Sequence, residues 1–123
     1  MAVQPQYLAY VLEQLEGIDD LRSRRMFGGV GLYSGELFFG LIDDDTLFFK
    51  TDSSNSGEYV ARRMPRFMAP AVPGADRGYY QVPADIIEDA ETLVAWARKS
   101  VAVALAAKPK PGTAKPARKK RRR

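Results

Sequence analysis

The chain is 123 residues long with a net charge of +4, 46% hydrophobic residues, and neither Cys nor His. That length supports one domain with a real core, and the missing residue types exclude disulfides, thiol catalysis, Cys/His zinc sites and an imidazole general base. The charge is segregated: residues 1–107 hold fifteen acids and ten bases, a net −5, whereas residues 108–123 hold nine bases and no acid, +9.

Gln6–Leu15 is predicted to be the first helix. Pro5 suits its first turn, and Leu8, Val11, Leu12 and Leu15 recur at helical spacing, with Tyr7 and Ile18 widening the apolar stripe. Gly17 is the expected stop, and Asp19–Ser23 is read as a connection. Residues 1–20 contain no basic segment leading into an apolar one, as a secretory leader would.

Arg24–Lys50 is the most strongly patterned stretch. Three runs rich in Phe, Val, Leu and Tyr are divided by Ser34-Gly35 and by Asp43-Asp44-Asp45, the pattern of a three-stranded antiparallel meander. A two-residue turn at Ser34-Gly35 places Leu32 opposite Leu37, Val30 opposite Phe39, and Gly29 opposite Gly40. A turn at Asp44-Asp45 places Ile42 opposite Leu47 and Gly40 opposite Phe49, while a longer turn there would shift the third strand and flip its faces. With the two-residue turns, one face carries Val30, Leu32, Leu37, Phe39, Leu41 and Phe48. The other carries Phe27, Gly29, Gly31, Phe38, Gly40, Ile42, Leu47 and Phe49. Neither face is polar, so both need cover, from helices on one side and from a second subunit in a symmetric homodimer on the other, unless the chain's own loops fill that face and leave a monomer.

Beyond Thr51–Gly57, a short helix is expected at Glu58–Met64, stopped by Pro65, and then an irregular loop from Phe67 to Arg77. Gly78–Val82 reads as a strand returning to the sheet, ended by Pro83. The last helix has Asp89 as its N-cap and an apolar stripe of Leu93, Trp96, Ala97, Ser100, Val101, Ala104 and Leu105. Val101–Ala107, the longest apolar run, is too short to span a bilayer, so a soluble cytoplasmic protein with no membrane association is expected. Lys108–Arg123 is too polar and proline-rich to bury a core and is read as a disordered basic tail beyond a single domain at 1–107.

The candidate chemistry is sparse. Gly28, Gly29, Gly31 and Gly35 lie within strand and hairpin rather than ahead of a helix, which argues against a phosphate loop. Gly29, Gly31 and Gly40 instead make a shallow window on one sheet face where Phe38 or another backbone approaches closely. The three consecutive aspartates lack the spacing of a calcium loop and read as a solvated turn. No catalytic set, metal site or cofactor site is therefore assigned. Two arginine clusters remain, Arg22, Arg24 and Arg25, then Arg62, Arg63 and Arg66, which together would make a basic rim. The tail cations Lys108, Lys110, Lys115, Arg118, Lys119, Lys120, Arg121, Arg122 and Arg123 are dense enough to bind nucleic acid phosphates without sequence preference.

At RRMFGGVGLY (Arg24–Tyr33) the chain resembles the N-terminal domain of the TfoX/Sxy family of bacterial competence regulators. The likeness continues through ELFFGLIDDDTLFFKTD, YYQVP (Tyr79–Pro83) and the helix around Trp96, covering roughly residues 21–107. The resemblance implies an α+β fold of two layers, a β-meander plus a returning strand packed with N- and C-terminal helices, similar to secretion-chaperone-like folds. Full-length family members carry a second, helical domain and act with the cyclic-AMP receptor protein on DNA-uptake genes; this chain is read as a stand-alone N-terminal domain. The family supplies no catalytic residues. The function expected is a non-enzymatic regulatory or adaptor module that docks a protein partner, with the tail holding it near DNA. A chaperone-like adaptor with no nucleic-acid role, or a small enzyme, are the alternatives.

Overall fold

A computed structural model of the protein describes residues 3–26, 28–67 and 78–107. Its described part is an α+β fold. Five strands, β1 (Leu21–Met26), β2 (Gly29–Ser34), β3 (Leu37–Asp43), β4 (Thr46–Lys50) and β5 (Tyr79–Gln81), form one sheet in sequence order, each antiparallel to the next. Helices α1 (Pro5–Gln14), α2 (Ser56–Ala61), α3 (Ala84–Ile87) and α4 (Ala90–Ala107) complete it.

Pro5 opens α1 at a position where its missing N–H is not needed. Val11, Leu15 and Ile18 are buried, with Leu8, Leu12 and Tyr7 partly so. Gln4 N–H donates to Asp45 Oδ1 at 2.7 Å, and the Gln14 side chain donates to the Ile87 carbonyl at 2.9 Å, tying the helix to the β3–β4 turn and to α3.

The sheet differs from the expected meander in two ways. Asp19–Ser23 is not simply a connection: a left-handed Asp20 (φ 49°) leads into β1, and Gly28 (φ 82°) turns β1 into β2. The run read as one strand is thus two. Phe27 lies outside the described residues. The second difference is register. The turn falls at Gly35-Glu36, not Ser34-Gly35, so Ser34 faces Leu37 and Tyr33 faces Phe38. One extra residue in β3 then bulges, and Leu32 faces Gly40, Gly31 faces Leu41 and Val30 faces Ile42. Gly35 alone has a positive φ (60°) there, as a turn of type II′ requires.

The bulge re-sorts the faces. Val30, Leu32, Phe39, Ile42, Leu47 and Phe49 all join the core beneath the helices, whereas Leu41, Phe48 and Phe38 point to the opposite side. The second hairpin forms as expected, with Ile42 opposite Leu47 and Gly40 opposite Phe49. Asp44 (φ 52°) and Asp45 (φ 54°) are both left-handed, the type I′ geometry that matches strand twist. The glycine window is split between faces: a Cβ on Gly31 would come 2.9 Å from the Phe38 ring, while one on Gly40 would strike the Phe48 carbonyl at 2.8 Å and the Phe49 ring at 2.9 Å. On the face away from the helices, Phe67 of the same chain packs on Phe48 with ring centroids 4.8 Å apart. Residues 68–77 of the expected loop lie outside the described residues.

Helix α2 begins two residues earlier than expected and ends in a Schellman motif. Met64 N–H bonds the Tyr59 carbonyl, Arg63 N–H bonds the Val60 carbonyl, and Arg63 takes the left-handed position (φ 56°). Asp89 caps α4, accepting from Thr92 N–H at 3.3 Å and from the Thr92 hydroxyl at 2.9 Å. Its buried stripe is Leu93, Trp96, Ala97, Ser100, Val103 and Ala104. Val101 packs at the margin and Leu105 is 60% exposed, because a 3.6-residue period carries the inward column from 100 to 103 and 104.

A polar knot ties these layers together. Ser100 donates to the Lys50 carbonyl at 2.7 Å, and buried Asn55 donates to the same oxygen at 3.2 Å. Leu93→Ala should destabilise the fold by about 2–5 kcal/mol, whereas the same exchange at Leu105 should stay within about 0.5 kcal/mol. Ser100→Ala should cost about 1 kcal/mol, because Asn55 still satisfies the carbonyl. Urea unfolding of the three variants measures all of these.

Candidate functional site

The two arginine clusters lie on opposite edges of the sheet. Arg22, Arg24 and Arg25 belong to β1, and Arg62, Arg63 and Arg66 follow α2 beside β5. Four inter-strand steps of about 4.8 Å separate β1 from β5. The tail cations, Lys108 to Arg123, lie outside the described residues.

The β5 side is occupied by internal contacts. Arg62 pairs with Asp85 at 3.0 Å and lies over the Trp96 ring, 5.7 Å from its centroid. Arg66 lies over Tyr80 at 5.9 Å. The segment after α2 also closes the sheet edge: Gln81 N–H donates to the Pro65 carbonyl at 2.9 Å, and Phe67 N–H donates to the Tyr79 carbonyl at 2.8 Å. Beneath, Tyr59 stacks on Tyr80 at 5.6 Å and meets the edge of Trp96 at 4.9 Å. Burial pushes the Tyr59 hydroxyl well above the usual tyrosine range; it borders Ser100 without completing a hydrogen bond.

The β1 side is open. Ser23, Arg24 and Arg25 are exposed, and among the described residues β1 pairs with β2 alone. Arg22 is held by Asp20 through two contacts, at 3.0 and 3.1 Å, whereas Arg24 and Arg25 make no ion pair among the described residues. A groove of about 500 Å³ runs beside the strand, lined by Arg22, Ser23, Arg24, Tyr33, Gly35 and Glu36. Tyr33 reaches it because it faces Arg22 across the β1–β2 ladder. The Ser34 hydroxyl donates to the Asp19 carbonyl at 2.7 Å, and Gly35 N–H donates to the Asp20 carbonyl at 2.9 Å, fixing this end of the hairpin.

From Tyr33 an aromatic row crosses the sheet. Phe38 lies 5.2 Å from Tyr33 and 5.7 Å from Tyr79, between ring centroids. Lys50 ends the row, its Nζ 5.1 Å from the Tyr79 centroid and 3.4 Å from its hydroxyl. Burial, with a smaller effect from neighbouring Tyr33, pushes the Tyr79 hydroxyl up to about 12.

Tyr33, Glu36, Lys50 and Tyr79 had not been singled out from the sequence. Reading Gly28 as a turn would have exposed the pairing of Arg22 with Tyr33. Among the described residues no cluster of His, Cys, Asp or Glu is arranged to hold a metal ion, and no helix is long and apolar enough to cross a membrane.

Arg63→Gly should stabilise the protein by roughly 0.5–1 kcal/mol, since glycine enters the left-handed region without the arginine's strain but loses more chain entropy. Thermal denaturation measures it. Tyr79 is neutral when folded at a pH where the unfolded chain, with the ordinary value of 10.0, ionises. Its contribution is therefore complete below pH 10.0 and lost as pH rises towards about 12. Tyr79→Phe should flatten part of the alkaline fall in Tm.

Compared with known proteins, the TfoX N-terminal domain family matches residues 13–104. No curated protein matches the chain.

Proposed function

The chain belongs to the TfoX N-terminal domain family, a regulatory type of domain, and we propose that it is a non-enzymatic adaptor that docks a protein partner while its basic tail holds the pair near nucleic acid. The observation that carries this reading is the charge segregation, −5 over residues 1–107 against +9 over residues 108–123. The acidic part repels a polyanion, whereas each tail cation that reaches a phosphate releases condensed counterions. No aromatic residue lies among the tail cations, so base stacking and base-edge readout are not part of their binding. Transcription regulation, competence included, in the cytoplasm of a bacterium is the setting that the family suggests for such an adaptor.

A salt titration of a labelled duplex tests the tail's role. With about five to seven phosphates engaged, log K should fall with log salt at a slope of roughly −4 to −6, and affinity at physiological salt should be about micromolar or weaker. Removing residues 108–123 should abolish binding and leave Tm nearly unchanged. Equal binding by full-length and truncated protein would move the site to the arginines of β1 or of the segment after α2. Absence of binding by either would leave an adaptor with no nucleic-acid role.

A further inference from the structure

We propose that the outer edge of β1 is a docking strand for an extended acidic peptide of a partner protein, which adds to the sheet as a sixth strand. The proposal rests on the partner-docking reading above and names its surface. Its first support is the asymmetry of the edges. Beyond β5, the segment at Pro65–Phe67 takes up the outward backbone groups of Tyr79 and Gln81. Beyond β1 no described residue does so, although alternate N–H and C=O groups of a six-residue strand point away from its one partner.

The second support is charge. Arg24 and Arg25 are exposed and without ion pairs among the described residues, and as neighbours in a strand they project to opposite faces. An added strand therefore meets them with two consecutive acids, one on each face. Arg22, already held by Asp20, needs no acid. The partner residue facing Arg22 lies two positions from the acid on Arg24 and falls over the groove, where a planar side chain can lie against Tyr33 and a guanidinium. The motif is two adjacent acids, a spacer and an aromatic residue, in chain order for an antiparallel partner and reversed for a parallel one.

The same features disfavour other occupants. A second copy paired antiparallel through β1 sets Arg22 opposite Arg25, or Arg24 opposite its own copy, and like charges directly opposite destabilise a sheet. A nucleic acid has no backbone amides to continue the ladder. A polyanion longer than the strand also runs onto Asp19, Asp20 and Glu36 at the Leu21 end.

The probes are blocked peptides Thr-Val-Glu-Glu-Thr-Tyr-Val-Thr and its reversed sequence, each plain and with alternate backbone nitrogens methylated. They are added to the full-length protein at physiological salt while amide exchange is followed by NMR. At least one plain peptide should slow exchange of outward amides within residues 21–26. Methylation on the ladder side, or replacing Arg24 and Arg25 together by Ala, should weaken binding at least about tenfold. Unchanged β1 exchange with peptide bound, or equal binding of plain and methylated peptides, would overturn the proposal and mark attraction to the basic tail alone. Protection confined to the β5 side would overturn the β1 assignment while sparing the partner-docking reading. Protection of the same β1 amides by a duplex oligonucleotide would also overturn it, as the edge would then not select a peptide.

Discussion

A single extra residue in β3 sets which side of the sheet becomes the core. Without the bulge, Phe39 and Ile42 would point to opposite faces; with it, both pack beneath the helices beside Val30, Leu32, Leu47 and Phe49. Phe39 and Phe49, 5.8 Å apart between centroids, fill the space under α4. The displaced Leu41 and Phe38 then join Phe48 and Tyr79 on the far side, with Phe67 packed over them. A sheet with two apolar faces is stable in water only if both are covered, and here the chain's own residues supply cover on each.

The helix layer is anchored at one backbone atom. The Lys50 carbonyl, at the end of β4, receives hydrogen bonds from Ser100 of α4 and from Asn55 just ahead of α2. A part-buried carbonyl of this kind is best satisfied within the protein, and satisfying it from two elements fixes how both meet the sheet. From that anchor Tyr59 reaches Trp96 and Tyr80, and the Schellman turn that follows carries the chain to the β5 edge. The closure of one edge thus follows from packing in the core.

Among the described residues nothing comparable reaches the other edge. Helix α4 lies over β3 and β4, leaving β1 beyond the helix layer with its middle four residues exposed. Three arginines on six residues are what an edge strand needs to resist pairing with its own kind. The same charges leave it receptive to a complementary acidic strand. At contact distance this local charge outweighs the net −5 of residues 1–107, since screening in physiological salt acts over about 8 Å.

The sequence by itself determined the elements whose patterns are periodic and locally enforced. These are α1 behind Pro5, the presence of a hairpin at the three aspartates though not the length of its turn, the returning strand at Tyr79, and α4 with its Asp89 cap. Each follows from a repeat of apolar side chains or from a turn residue with one favoured geometry. Segregated charge and the TfoX-type signature were legible in the same way. Only the tertiary structure decided the rest. The bulge depends on which of two aromatic neighbours fits beneath α4, a choice that alternation cannot encode. Strand β1 carries no apolar alternation, its middle four residues being exposed, so it is recognisable only through its pairing with β2. The separation of the two arginine clusters, near in kind but on opposite edges, follows from strand order, which no local pattern records.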